Sequence, residues 1–329
     1  MSPPSPISIV PQIKPAEYTA TGIGVVVNPR AAGNRGRPDT AAHLAAVVGG
    51  DGEVVETADL EALDETLHRF RDRGFNVVAV SGGDGSLCHA ISRSVGVWGE
   101  DNLPTFVALR GGTINNVART VGGPSRPEAF LGKVMSAYRS RREFATMDRP
   151  LLRVNGETYG SIVGAGLITH FLEEYYEGRD PGPLSAAGLL LRCGVSWLAG
   201  GEFIRRIVPT LAGKAECDDE PLPYGEFTLV LASSVKHIGL GLTPFYLSGR
   251  KKGCFQVLAG PASPGQLLSR LPRFGRGFPA DLDTLYDNMA RRFRIEFAEP
   301  QSFTVDGELF PSVRVLDIEA GPAVRFIRG

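Results

Sequence analysis

Three glycine-rich stretches carry the residue types that bind phosphate. The sharpest is Ser81-Gly82-Gly83-Asp84-Gly85-Ser86, directly after the apolar run Val77-Val78-Ala79-Val80. A short β-branched run of this kind predicts a strand covered on both faces. The glycines let backbone approach a ligand closely. The segment Leu87-Cys88-His89-Ala90-Ile91-Ser92 predicts a helix, whose free N–H groups would point back at the turn and suit an anion. Asp84 falls at the tip, where a carboxylate reaches a metal or a hydroxyl. The same residues also fit a strand-to-helix turn that holds no ligand. The second stretch, Asn28-Pro29-Arg30-Ala31-Ala32-Gly33-Asn34, follows the strand-like Gly24-Val25-Val26-Val27. The third, Arg110-Gly111-Gly112-Thr113-Ile114-Asn115-Asn116-Val117-Ala118-Arg119, follows a strand expected over Thr105–Leu109.

The elements that must position these loops alternate in type. Between residues 21 and 145, strand signals exchange with helices at Thr40–Val48, capped by Asp39 or Thr40, and at Leu60–Phe70, ended by Gly74. A short strand is expected at Glu53–Glu56. This rhythm predicts a doubly wound parallel sheet with ligands at the carboxyl ends of its strands. Near Met147-Asp148 the rhythm changes. Leu151 to Tyr159 reads as a hairpin around Asn155-Gly156. Strands follow at Phe227–Ser233, Cys254–Leu258, Arg294–Phe297, Phe303–Val305 and Val313–Ile318, with a helical insertion at about Leu184–Ile204. The fold class expected is therefore α/β plus β. A flexible tail (1–20) precedes a nucleotide-binding α/β domain (21–145), to which residues 315–329 return. A mostly antiparallel β-sandwich domain (146–314) follows, with the active site in the cleft between the two.

Composition sets bounds. The chain has 329 residues, 43% hydrophobic and 22% charged, with 35 Lys and Arg against 36 Asp and Glu. That balance gives no argument for nucleic acid. Cys88, Cys193, Cys217 and Cys254 form no Cys-x-x-Cys pair and read as reduced core thiols of a cytoplasmic protein. The Pro- and Ser-rich start lacks the basic and apolar parts of a secretory signal. The longest apolar stretch, Ala186–Gly201, is broken by Arg192, so no spanning helix is expected. A P-loop, a dinucleotide fingerprint, the protein-kinase signature set and a Gly-x-Ser-x-Gly elbow are all missing from the sequence.

Taken in order, the motifs resemble the diacylglycerol kinase catalytic domain family, which includes sphingosine and ceramide kinases and bacterial soluble lipid kinases. The resemblance runs from Gly22 to about Phe326. Asn28-Pro29 with Gly33 is similar to the family's first nucleotide loop, and Thr57 to its phosphate-contacting threonine. Gly82-Gly83-Asp84-Gly85-Ser86 is similar to its Gly-Gly-Asp-Gly-Thr/Ser signature. Gly112-Thr113-Ile114-Asn115-Asn116 with Val117-Ala118-Arg119 is similar to its Gly-Thr-x-Asn-Asp loop. Val305-Asp306-Gly307-Glu308 is similar to its Asp-Gly-Glu turn, although Asp-Gly alone is also a common hairpin turn.

The resemblance implies an ATP- and Mg²⁺-dependent lipid kinase acting on a diacylglycerol, ceramide or sphingoid-base hydroxyl. Backbone N–H groups of residues 82–86 and 112–115 would hold the nucleotide, with Ser81 beside them. Asp84 would bind or orient the metal. Asp306 would take the acceptor's proton, with Asp84 the alternative for that role and Glu308 in support. Two residues depart from the family pattern. Asn116 replaces an aspartate and brings to the metal an amide without charge. Arg110 stands in place of a proline and would contact a phosphate or point to solvent. A lipid acceptor comes from a membrane, so peripheral membrane contact is expected, and homodimerisation stays open. The stretch Leu184–Leu198, followed by Arg205-Arg206, is either a lipid-facing cap or a buried helix with a covered arginine. Gly164-Ala165-Gly166 near His170 would admit an acyl chain or allow close packing. The alternatives are a catalytically weak or regulatory lipid-binding protein of the same fold, and an NAD kinase, whose Asn-Glu motif this chain lacks.

Overall fold

The computed structural model describes residues 22–112, 115–124, 126–177, 183–199, 201–236 and 242–329, without the side chains of 116, 183–187 and 190. Its first part contains β1 (Ile23–Val27), α1 (Ala32–Arg35), α2 (Thr40–Val48), β2 (Gly52–Glu56), α3 (Leu60–Asp72), β3 (Val77–Gly82), α4 (Asp84–Trp98), β4 (Thr105–Arg110), α5 (Asn116–Thr120) and α6 (Pro127–Arg139). Then come β5 (Thr146–Val154), β6 (Thr158–Gly160), β7 (Ile162–Gly166), α7 (Leu167–Glu177), α8 (Pro183–Leu198), α9 (Glu202–Ile207), β8 (Leu211–Cys217), β9 (Glu220–Pro221), β10 (Glu226–Phe227) and β11 (Leu229–Ser233). The chain ends with β12 (Phe255–Gly260), α10 (Pro264–Gly275), β13 (Tyr286–Ala290), β14 (Arg292–Val305) and β15 (Glu308–Ile327).

The parallel ladder runs β2-β1-β3-β4. Side chains alternate along its strands, so each strand feeds two cores. Val78 and Val80 pack with Leu63, Leu67 and Phe70 of α3 and with Leu87 and Ile91 of α4. Val77 and Ala79 pack with Leu44 of α2 and with Phe130, Leu131 and Val134 of α6. The expected double winding is therefore present, with helices on both faces. Asp39 holds the expected N-cap position of α2 but makes no side-chain cap bond, and the Thr40 hydroxyl donates to the Arg37 carbonyl at 2.7 Å. Helix α3 is capped by Asp59, whose carboxylate accepts from the Ala62 N–H at 2.9 Å.

The later strands pair antiparallel, in the order β13-β12-β11-β7-β14-β15. The segments expected at Arg294–Phe297 and Phe303–Val305 are one strand, β14, with register shifts between them. The single strand expected over Phe227–Ser233 is split at Thr228, where the chain changes partners: β10 pairs with β8, and β11 with β7 and β12. Strand β15 pairs antiparallel with β5 over Thr146–Val154, and Phe326 meets Phe106 of β4 in parallel register. One sheet is thereby continuous from the parallel ladder into the antiparallel strands. Asn155 and Gly156 both take positive φ at the β5–β6 turn, as an Asn-Gly hairpin requires.

Candidate active site

The carboxyl ends of β1, β2, β3 and β4 lie side by side, which gathers residues 28–34, 57–59, 83–86, 111, 112 and 115 at one edge. Asn34 stitches them together. It is buried, and its Nδ2 donates to the carbonyls of Asn28 at 2.8 Å and Ser81 at 3.0 Å. Its Oδ1 accepts from the Ser81 hydroxyl at 3.3 Å. Asn28 donates through Nδ2 to Ser86 Oγ at 2.8 Å and accepts from the Arg30 N–H beside Pro29. The Gly33 N–H donates to the Gly111 carbonyl at 2.9 Å, and a Cβ at Gly33 would lie 2.8 Å from that oxygen. Gly112 likewise rests on Gly83 with no room for a side chain. The glycines here serve close approach of one loop to another. Thr57 is buried, its N–H bonded to the Val27 carbonyl at 2.9 Å.

Helix α4 starts earlier than its sequence suggests. Gly83 is its N-cap, so Asp84, Gly85 and Ser86 form its first turn. A glycine cap has no side chain to satisfy the first N–H groups, which leaves them oriented for an anion over a helix of 15 residues. The Asp84 carboxylate accepts from the Val117 N–H at 3.1 Å and so ties α4 to the start of α5. The third loop differs from expectation. The Gly112 N–H donates to Asn115 Oδ1 at 2.9 Å, and Asn115 Nδ2 returns a bond to the Gly112 carbonyl at 2.7 Å. Asn115 sits in the left-handed region at φ 55°. Gly112 therefore spends its donor inside the loop. Thr113 and Ile114 lie outside the described residues, as does the side chain of Asn116. Arg110 is turned to the protein rather than to open solvent. Its Nη2 donates to the Gly123 carbonyl at 2.7 Å and its Nε is buried.

The turn between β14 and β15 lies against this edge. Asp306 takes φ 51° and accepts from the N–H groups of Ser161 (3.0 Å) and Ile162 (2.9 Å). Glu308 is exposed, and its carboxylate lies where a Cβ on Gly85 would be. The Tyr176 hydroxyl of α7 donates to the Gly307 carbonyl at 2.9 Å. Asp84, Arg149 and Asp306 border one cavity of about 10 Å³, with Cys88, Tyr159 and Ser161. Burial pushes the Asp306 carboxyl up to about 6, against the pull of the Ser161 N–H and the Arg149 guanidinium; Asp84 pushes it further up. Burial likewise holds the Cys88 thiol well above its ordinary range, helped by the charges of Asp306, Glu308 and Asp84.

So Asn28, Gly33, Ser81, Gly82, Gly83, Asp84, Gly85, Ser86, Asp306 and Glu308 converge, and Thr57 lies at the same strand ends. Four further residues contribute. Asn34 lies in the first glycine loop, where its residue type alone points to no role. The Ser161 and Ile162 N–H groups carry no side-chain signal at all. Arg149 had a visible signal, a cation at alternating spacing between the apolar Met147 and Leu151 on one face of a strand. Small residues Gly164 and Gly166 serve close packing: Gly164 lies under Leu231 and Ile168, and a Cβ at Gly166 would lie 2.7 Å from the Thr228 carbonyl.

The residues fit a nucleotide's phosphates, which suit the uncapped first turn of α4. Among the described residues no three His, Cys, Asp or Glu side chains cluster as a metal cage. A single carboxylate such as Asp84 fits Mg²⁺, which commonly takes one or two carboxylates together with substrate phosphate oxygens.

Residues 22–147 match the diacylglycerol kinase catalytic domain family. No curated protein matches the chain. Three solved structures resemble it along nearly its whole length. All are of diacylglycerol kinases from Bacillus anthracis str. Sterne, two of them provisionally so named. Their TM-scores are 0.66, 0.63 and 0.65, at 16%, 15% and 17% identity, each covering 95% of this chain and 98% of its own. At such identities the likeness establishes the shared fold.

Proposed function

We propose, for a chain whose residues 22–147 form a diacylglycerol kinase catalytic domain, that the protein transfers the γ-phosphoryl group of ATP to a lipid hydroxyl. The observation that carries this reading is the meeting of Asp84 and Asp306 at one cavity beside an uncapped helix start. Bound Mg²⁺·ATP would supply the phosphoryl group and neutralise its charge. The first turn of α4 would bind phosphate, and Asp84 would hold the metal. Asp306 would accept the hydroxyl proton: it is fixed by two backbone donors and has a raised affinity for protons, as a general base needs. Glu308 stands over Gly85, between the two halves of the site.

A membrane-borne acceptor agrees with the surface of α8. Leu191 and Leu198 are 70% and 78% exposed, and Val195 and Trp197 also face outward. Arg192 on the same helix is exposed rather than covered; it pairs with Glu174 at 3.0 Å. Exposed Arg205 and Arg206 follow on α9. Apolar groups rimmed by arginines suit the interface of an anionic bilayer. Among the described residues no helix is long and apolar enough to cross one.

The test incubates the protein with labelled ATP and Mg²⁺ and with micellar diacylglycerol, sphingosine or ceramide, with NAD in a parallel tube. Phosphorylated lipid that neither Asp84→Asn nor Asp306→Asn can make is the expected result. Label in NAD alone would sink the proposal. Lipid binding without transfer to any acceptor would instead favour the regulatory reading.

A further inference from the structure

Arg149 has no part in the transfer described above, yet its setting is costly. It lies on β5 opposite Val324 of β15 and is 7% exposed. Its Nη1 is buried and meets no hydrogen-bond partner. A guanidinium cannot shed its proton, so burial leaves a full charge to be matched from its surroundings. The charges that face it come from two other elements: Asp306 at the end of β14 and Asp84 on α4. All three border the same cavity, and Leu87, Ile91, Val117 and Phe326 make much of its remaining wall apolar. Little water screens charges placed there, so both attraction and repulsion are strong.

We propose that Arg149 is a positioning residue of the cleft: its fixed positive charge holds the Asp84 and Asp306 carboxylates on either side of one cavity and so sets the spacing between the α4 turn and the β14–β15 turn. Without that charge two carboxylates face each other across apolar walls. A methionine at 149 replaces most of the volume and none of the charge. The two turns then move apart, and the acceptor's hydroxyl is held too far from one of them. A lysine keeps the charge with different geometry.

The charge role is tested by urea unfolding of the whole chain at pH 8, above the Asp306 midpoint of about 6. Wild type, Arg149→Met, Asp306→Asn and the double variant form a cycle. The expected result is that Arg149→Met raises the unfolding constant at least tenfold less in the Asp306→Asn background than in the native one. Equal rises in both backgrounds overturn the proposal. If Arg149→Met alone does not fold, the double variant is expected to fold; its failure too assigns Arg149 to packing and overturns the proposal. The catalytic consequence rests on the lipid-kinase reading. There Arg149→Met is expected to lower kcat more than thirtyfold, with the KM for ATP and for lipid within threefold of native. Arg149→Lys should restore kcat to within about threefold of native. A raised KM at unchanged kcat contradicts positioning. Wild-type protein that transfers to no lipid defeats the kinase reading, while the unfolding cycle still decides the charge role.

Discussion

If Asp306 takes the acceptor's proton, the transfer rate must follow its ionisation. Its carboxyl is pushed up to about 6 from the ordinary 3.8, by burial first and by Asp84 in addition. A base with that midpoint is about 90% ionised at pH 7 and about 10% at pH 5. An ordinary aspartate would still be about 90% ionised at pH 5. The value of kcat/KM should therefore fall about tenfold between pH 7 and pH 5, with the bend near 6. The assay is transfer from labelled ATP to micellar diacylglycerol at constant ionic strength and saturating Mg²⁺, with the nucleotide's own phosphate titration measured separately and divided out. The linkage to stability carries the opposite sign. The folded chain holds this proton more tightly than the unfolded chain, so Asp306's contribution to stability is fully present below about 4 and lost as pH rises through about 6. Activity and this part of stability should thus move in opposite directions over one window. A kcat/KM flat down to pH 5 in the folded protein would refute the assignment of Asp306 as base, and with it the claim that burial sets its proton affinity.

Other expectations follow from single contacts. Gly33→Ala places a methyl group 2.8 Å from the Gly111 carbonyl; parting the two loops should raise the KM for ATP about tenfold and cost about 1–3 kcal/mol in urea unfolding. Asn34→Ala removes the donor shared by the Asn28 and Ser81 carbonyls in a buried setting. It should cost about 2–4 kcal/mol by urea unfolding and weaken ATP binding by calorimetry. On the proposed reading, Asn116→Asp should tighten Mg²⁺ in a kinetic titration, because it adds a charge where the resembled motif has one; a loss of activity would argue for a rearranged site.

Residue types alone suffice for the alternation β1, α2, β2, α3, β3, α4, β4 and for the loops at its strand ends, whereas α6, β7, α7, β8, α10 and β13 were not among the elements expected from them. Strands β1 and β3 were legible as β-branched apolar runs closed by polar or glycine residues, β4 as a short apolar run, β2 from Val54-Val55 between glutamates, and helix α3 because Leu60, Leu63, Leu67 and Phe70 share one face. The glycine motifs and Asp306-Gly307-Glu308 were visible as chemistry-bearing spacings. Other facts required the tertiary structure, because they depend on residues far apart in the chain. Asp306 meets the N–H groups of Ser161 and Ile162 across 145 and 144 residues, and backbone donors leave no trace in residue type. Asn34 bonds Ser81 across 47 residues, so its role depends on β1 lying beside β3. The start of α4 at Asp84 rather than after Ser86 was decided by Gly83, whose extended torsions place the cap one residue before the aspartate. Arg149 is the plainest case. Its charge could be read in the sequence, but its burial follows from the pairing of β5 with β15, and its partners follow from the fold that brings Asp84 and Asp306 to one cavity.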